Sequence, residues 1–399
     1  MKKNAQPRYR IKLRWFRPLF WPVLLPVVIA IWLYNKLSPI PIRIYLMRVD
    51  RIGHLAENTE LVCCKIDLGI IKKEIRIFVH RDIPCNMFLF RMWSRVLYVN
   101  QLFLLIYDVC KKLGGLGILS DEMQNPGLNS NNMVEKCPRH LSFTPDELRD
   151  AERQCRELGH DGSRPHVCVL GRDAVYLQQH NPHEDNSHYE FRNVDINTYI
   201  PALEHLAERF TVIRMGSVAR DRLQTTNPRI IDYPFSGKRT ELLDIYLSGT
   251  CRFFISTGTG LDSVASICFR VPMLFVNFIP VALMVNWGSA NLSIFKHYWL
   301  VEEKRFLTLS EILDSGVGDS YDAYRIRKFG VEIVDNSPEE LLDAVREMEA
   351  RLDGAWEEDP EDARLQQAYW DICRQRSPRR EYVARIGAKF LRNNPNWAR

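Results

Sequence analysis

A chain of 399 residues, 46% hydrophobic and 26% charged, has the composition of a globular protein of about two to three domains. Its net charge of +5 is mild and concentrated at the front: residues 1–18 carry Lys2, Lys3, Arg8, Arg10, Lys12, Arg14 and Arg17 and no acid. The near-neutral remainder gives no nucleic-acid footprint. Ten cysteines without a CxxC pair exclude a disulfide framework in a chain this long and fit a reducing cytosol.

The basic front runs into Pro18–Asn35, an uncharged stretch bounded by Arg17 and Lys36. Fully helical it would reach about 27 Å, close to the hydrocarbon thickness of a bilayer. A signal peptide lacks its small-residue cleavage site. A spanning helix with a cytosolic domain would export the cations against the positive-inside preference. A shallow anchor fits better: Pro22 and Pro26 interrupt the helix, Trp15, Trp21, Trp32 and Tyr34 edge it, and the cations face anionic lipid. A buried core helix is the remaining alternative. Residues 1–38 are therefore expected to associate with the cytoplasmic face of the inner membrane.

Residues 39–162 read as a first α/β half. Arg43–Val49 is an alternating strand, Asp50–Gly53 a turn, about His54–Lys65 a helix and Glu74–His80 a second strand, which is a βαβ unit and predicts a parallel sheet. Arg51-Ile52-Gly53-His54 sits at a strand's carboxyl end, where open α/β sheets bind ligands. Asn86–Lys112 predicts two helices, and Gly114–His140 a loop. Thr144-Pro145-Asp146-Glu147 is a capping box that starts a helix to about Leu158. His160–Pro165 is the linker candidate.

Residues 163–356 read as a second half. Strands are expected at His166–Leu170, Thr211–Gly216, Arg229–Tyr233, Arg252–Ile255, the run before Asn277, and Gly330–Asp335. Helices are expected at Asp195–Arg209, Lys238–Leu247, Leu261–Phe269 and Pro338–Leu352. Such alternation signals a doubly wound sheet. Residues 357–399 predict helices packing back on the body. The expected architecture is two Rossmann-like doubly wound domains facing a cleft.

The densest chemistry lies at Ser256-Thr257-Gly258-Thr259-Gly260, where a strand hands over to a helix. Free amides, hydroxyls and a helix N-terminus make an anion site there, with Ser263 in the following turn. Arg172, Arg192 and Arg214 fall at or beyond second-half strand ends, Arg214 next to Gly216, and could clamp a diphosphate by forked hydrogen bonds. Gly258-x-Gly260-x-x-Ser263 is only a near miss to a dinucleotide fingerprint, since Asn277 stands where an acid is needed. His180, His183 and His188, with Glu184 and Asp185, match no standard metal spacing. GxSxG, HExxH and Asp-x-Asp are all absent. No metal or cofactor is expected.

Four stretches carry a resemblance: RIGHLAEN; FRNVDINTYIPALEHL with VIRMG; FFISTGTGLDSVA; and GVEIVDNSPEELLDAV. Over about Arg51–Trp356 the chain resembles a family of bacterial glycosyltransferases associated with surface-polysaccharide assembly. The likeness implies a GT-B-like fold and metal-independent transfer of a sugar from a nucleotide-sugar donor to a lipid-linked or polysaccharide acceptor. Within it Ser256–Gly260 would hold the distal phosphates, Arg172 and Arg214 would neutralise the leaving nucleotide, and His54 would be either the general base or a helix-start histidine that only hydrogen-bonds the turn. Asp173 would orient Arg172. Asn336 and Glu339 would cap the late helix, with a ribose contact open to them. A pyruvyl- or other group-transferase and a non-catalytic nucleotide-binding partner of an assembly complex are the competing classes.

Overall fold

The structure is a computed structural model that describes residues 21–124, 132–175, 178, 187–283, 287–376, 378, 381–395 and 397–398. In the first half, β1 (Ile42–Met47), β2 (Ile75–His80) and β3 (Leu119–Ser120) form a parallel sheet in the order β2-β1-β3. It is narrower than expected. Strand alternation sends Ile44 and Val79 to one face, against Val28, Ile31, Ile106 and Val109. It sends Tyr45, Met47 and Phe78 to the other, against Leu55, Ala56, Phe88 and Leu89. Helices therefore cover both faces.

The hydrophobic stretch near the amino terminus is described from Trp21 onward. The helix Trp21–Leu37 packs Val28 and Ile31 onto that sheet, and the Asn35 side chain brackets the backbone N–H and C=O of Ile42 at 2.7 and 2.9 Å. Among the described residues no helix is long and apolar enough to cross a membrane. The basic residues 2–17 lie outside the described residues.

The second half is built on β4 (His166–Leu170), β5 (Thr211–Arg214), β6 (Ile230–Asp232), β7 (Phe254–Ser256), β8 (Met273–Phe278) and β9 (Leu292–Phe295). A small antiparallel sheet follows: β10 (His297–Leu300), β11 (Arg305–Phe306) and β12 (Val331–Val334). β13 (Arg385–Ile386), inside a tail expected to be helical, joins the large sheet beside β9. Spatial order is β13-β9-β8-β7-β4-β5-β6, parallel throughout. The central strands are buried on both faces, hence their continuous Val, Ile, Phe and Cys character. From β4 the chain winds outward through β5 and β6, then returns to β7 on the other flank. The gap between the carboxyl ends of β4 and β7 is thus the topological switch point, where such sheets bind ligands.

The helix Pro145–Leu158 is capped as expected, Thr144 Oγ1 accepting from the Glu147 amide. It packs on the second half, the Thr240 hydroxyl donating to Gln154 Oε1 at 2.6 Å. The helices Pro360–Arg376 and Ala388–Asn393 close the core through Leu365, Tyr369, Phe390 and Leu391.

Candidate functional site at the switch point

The Ser256–Gly260 turn lies at the switch point and is built around Asp262. One carboxylate oxygen of Asp262, Oδ2, accepts from the Ser256 hydroxyl at 2.7 Å and from the Thr259 amide at 2.6 Å. The Ser256 oxygen in turn accepts from the Gly258 amide at 3.2 Å, and Thr257 Oγ1 accepts from the Arg172 amide at 3.1 Å. Two of the expected phosphate-facing hydroxyls are therefore spent on shaping the loop. Thr259 Oγ1 is buried with no partner among the described residues. Gly258 has φ +79°, and a Cβ there would lie 2.9 Å from the Phe278 ring, so both backbone and space require glycine. Burial pushes the Asp262 carboxyl up to about 7 against the pull of the two donors.

The segment after the loop corrects the expectation of a regular helix. Val264–Cys268 winds as a five-residue π-helical turn, with the Phe269 amide donating to Val264 C=O. So short an element has little axial dipole to offer an anion. Cationic side chains must supply the attraction instead.

Arg172 follows β4, and Arg192 closes the short 3₁₀ helix Ser187–Arg192. Arg192 donates one bond to Gly258 C=O at 2.9 Å, while its Nε is buried without a partner among the described residues. Neither guanidinium has an ion pair among the described residues, and each lies over a tyrosine ring, Tyr189 for Arg172 and Tyr321 for Arg192. Burial lowers the Arg172 pKa to about 10, with Arg192 and Arg51 adding repulsion, and burial lowers that of Arg192. Both stay charged at neutral pH. Two partly desolvated cations without an ion pair among the described residues, only Arg192 feeling the nearby Asp262 carboxyl, form a preorganised anion site.

The first half meets this loop directly. A Cβ on Gly53 would lie 3.0 Å from Gly260 Cα, and one on Gly260 would lie 3.1 Å from the Gly53 amide nitrogen. Only two glycines allow the backbones to approach so closely. His54 follows at the start of the helix Ile52–Asp67, half-buried, its pKa lowered by burial and by Arg48. Its imidazole is neutral at pH 7. One turn on, Glu57 faces Ser263, whose hydroxyl lies 3.4 Å from Glu57 Oε2, and burial raises the Glu57 pKa.

Other sequence-selected residues sit elsewhere. Arg214 is 4% exposed; it donates to Asp221 C=O at 2.6 Å and pairs with Asp232 at 3.3 Å. Its guanidinium is committed to the chain beyond β5. Gly216, at φ +136°, makes the turn there. Asp173 accepts from the Val175 and Arg220 amides, each at 3.0 Å, so it shapes its own loop instead of orienting Arg172. Asn336 exchanges amide bonds with Asn277 at 2.7 and 2.6 Å, and Ser337 caps the late helix. His180, His183, Glu184 and Asp185 lie outside the described residues, and His188 stacks on Tyr189.

Sequence reasoning passed over Asp262, Glu57 and Lys296. Lys296, 2% exposed after β9, donates to Asp335 at 2.6 Å and to Asn193 C=O at 2.7 Å, which ties the chain beside Arg192 to the sheet. The signal for Asp262 was available, because an acid two residues beyond a small-residue turn commonly caps its amides.

No protein-family model and no curated protein sequence matches the chain. Among solved structures, a glycosyl transferase family 9 protein from Veillonella parvula superposes with TM-score 0.42 at 9% identity, covering 77% of this chain and 96% of that one. The E. coli ADP-heptose LPS heptosyltransferase II superposes with TM-score 0.35 at 13% identity, covering 60% and 86%. Likenesses this distant decide neither activity nor substrate.

Proposed function

We propose that the protein is a glycosyltransferase that binds a nucleotide-sugar donor at the switch point and transfers the sugar to an acceptor presented from the first half. One observation carries this: Arg172 and Arg192, half-buried and without ion pairs among the described residues, flank the Ser256–Gly260 loop where it touches Gly53. A diphosphate supplies an ion-pair partner to both guanidiniums, and the Arg192 Nε gains the acceptor it lacks. With two guanidiniums on the leaving group, the transfer needs no divalent metal at the donor. His54, neutral and at the interface of the halves, takes the acceptor hydroxyl proton. The acceptor is a lipid-linked or polysaccharide glycan met at the cytoplasmic face of the inner membrane. Val23, Val27, Leu33 and Leu37, exposed on the amino-terminal helix, and the basic residues before them would touch its surface.

Calorimetric titration of nucleoside diphosphates and sugar nucleotides in the presence of chelator tests this reading. Binding by the wild type and its loss in Arg192→Ala support it; binding that needs magnesium or manganese, or that ignores Arg192, overturns it.

A further inference from the structure

Away from the switch point, the far end of the helix Ile52–Asp67 meets the segment 132–140 and Arg270. There Glu60, Cys64 and His140 bring one ligand atom each to within 4.8 Å of one another. Glu60 and Cys64 are one helical turn apart, on one face, with Cys64 Sγ 3.9 Å from Glu60 Oε1. His140 Nδ1 lies 2.9 Å from the same oxygen. Cys137, three residues before His140, donates its thiol to the Cys64 carbonyl at 3.6 Å, which sets it beside the Cys64 side chain. In a tetrahedral zinc site, bonds of about 2.0–2.3 Å put ligand atoms roughly 3.3–3.8 Å apart. The Glu60–His140 and Glu60–Cys64 separations, 2.9 and 3.9 Å, bracket that range.

The surroundings are those of a metal site's outer shell. His140 Nε2 lies 3.0 Å from Asp67 Oδ2, so with a metal bound this nitrogen would keep the proton and Nδ1 would offer its lone pair inward. Arg270 donates to Glu60 Oε1 at 2.6 Å and holds the segment through Val134 C=O at 3.0 Å and Pro138 C=O at 3.2 Å. Glu60 Oε2 is fully buried and has no partner among the described residues. A buried carboxylate oxygen without a donor is costly and implies a missing cation or water.

We infer that Glu60, Cys64, Cys137 and His140 form a structural zinc site that ties the first-half helix to the segment 132–140 beside Arg270. Two thiolates, a carboxylate and a neutral imidazole are the donor set zinc prefers, with no open position for catalysis. Charge balances: the dication enters as Cys64 and Cys137 each release a thiol proton, and Arg270 offsets the remaining negative charge. Affinity must therefore fall steeply as pH drops.

The test is titration of reduced, full-length protein with cobalt(II), followed by displacement with zinc. The expected result is one equivalent bound, with a near-ultraviolet thiolate-to-cobalt band and the intense visible bands of a tetrahedral ion, all abolished by zinc. Asp67→Asn, which removes no ligand, should weaken zinc binding by about 10–100-fold. His140→Ala should abolish the cobalt spectrum. A wild-type protein that gives no such spectrum with its thiols free overturns the inference. So does a spectrum that His140→Ala leaves unchanged. The wild-type titration stands even if that variant fails to fold.

Discussion

Arg192 and Arg214 carry the same guanidinium into different surroundings, so their variants should fail differently. Arg192 lacks an acceptor for its buried Nε, and removing the side chain should cost nucleoside-diphosphate binding about 1.5–3 kcal/mol with little loss of stability. Lysine should restore only part, because an ammonium cannot reproduce the fork. Arg214 is paired with Asp232, and Arg214→Ala leaves that acid half-buried and unpaired. Its cost should appear in denaturant unfolding, about 3–5 kcal/mol, ahead of any change in calorimetric affinity. For His54, burial and Arg48 lower the pKa below its usual 6.5, so the acid limb of the turnover profile should fall below that pH. His54→Ala should reduce turnover about a hundredfold, and His54→Gln nearly as much, with donor affinity kept. A glutamine variant that retains most activity would make His54 a structural residue.

At the scale of elements, the loop after β7 depends on Asp262. Its carboxyl is pushed from the ordinary 3.8 up to about 7, so between those values the folded chain holds a proton that the unfolded chain has lost. Stability from this group is therefore full below about pH 4 and falls as pH rises through 7, by up to about 1.4 kcal/mol per unit. Asp262→Asn, neutral throughout, should flatten that slope. The difference between the two proteins in unfolding free energy at pH 5 and pH 8 measures it. Gly53 and Gly260 form the other sensitive element. Gly53→Ala sets a methyl 3.0 Å from backbone that cannot rotate away, so the halves must part. The expected cost is roughly 1–3 kcal/mol of stability, with turnover lost more than donor affinity; unchanged turnover would mean that the contact is not part of the working state.

For the whole molecule, truncation can separate the packing of the amino-terminal helix from the membrane contact proposed for this segment. It covers Ile44 and Val79 on the first sheet and Ile106 on the helix Phe103–Lys112 beside it, so deleting residues 1–37 should destabilise that half. Deleting residues 1–20 leaves the packed helix in place and should reduce binding to anionic vesicles only. Flotation with vesicles and thermal unfolding of the two truncations read these effects apart. If the shorter truncation still binds vesicles fully, contact lies on the exposed residues Val23, Val27, Leu33 and Leu37 or elsewhere on the fold.

The order of α/β elements was legible in the sequence because strand alternation, capping boxes and small-residue turns are local signals. So was the Ser256–Gly260 turn as a likeness of known anion loops, and with it the pairing of a late loop with Arg172 and Arg192. The hydrophobic run before Lys36 was ambiguous, since a core helix and a membrane anchor have the same composition and only the neighbouring sheet distinguishes them. Which arginine faces a ligand was equally hidden: Arg214 meets Asp232 from the adjacent strand, a partner eighteen residues away. The Gly53–Gly260 contact and the Glu60–Cys64–His140 cluster join residues distant in the chain. Local pattern fixes which elements form and where the backbone can turn; long-range packing decides which polar groups find partners and which are left for a ligand.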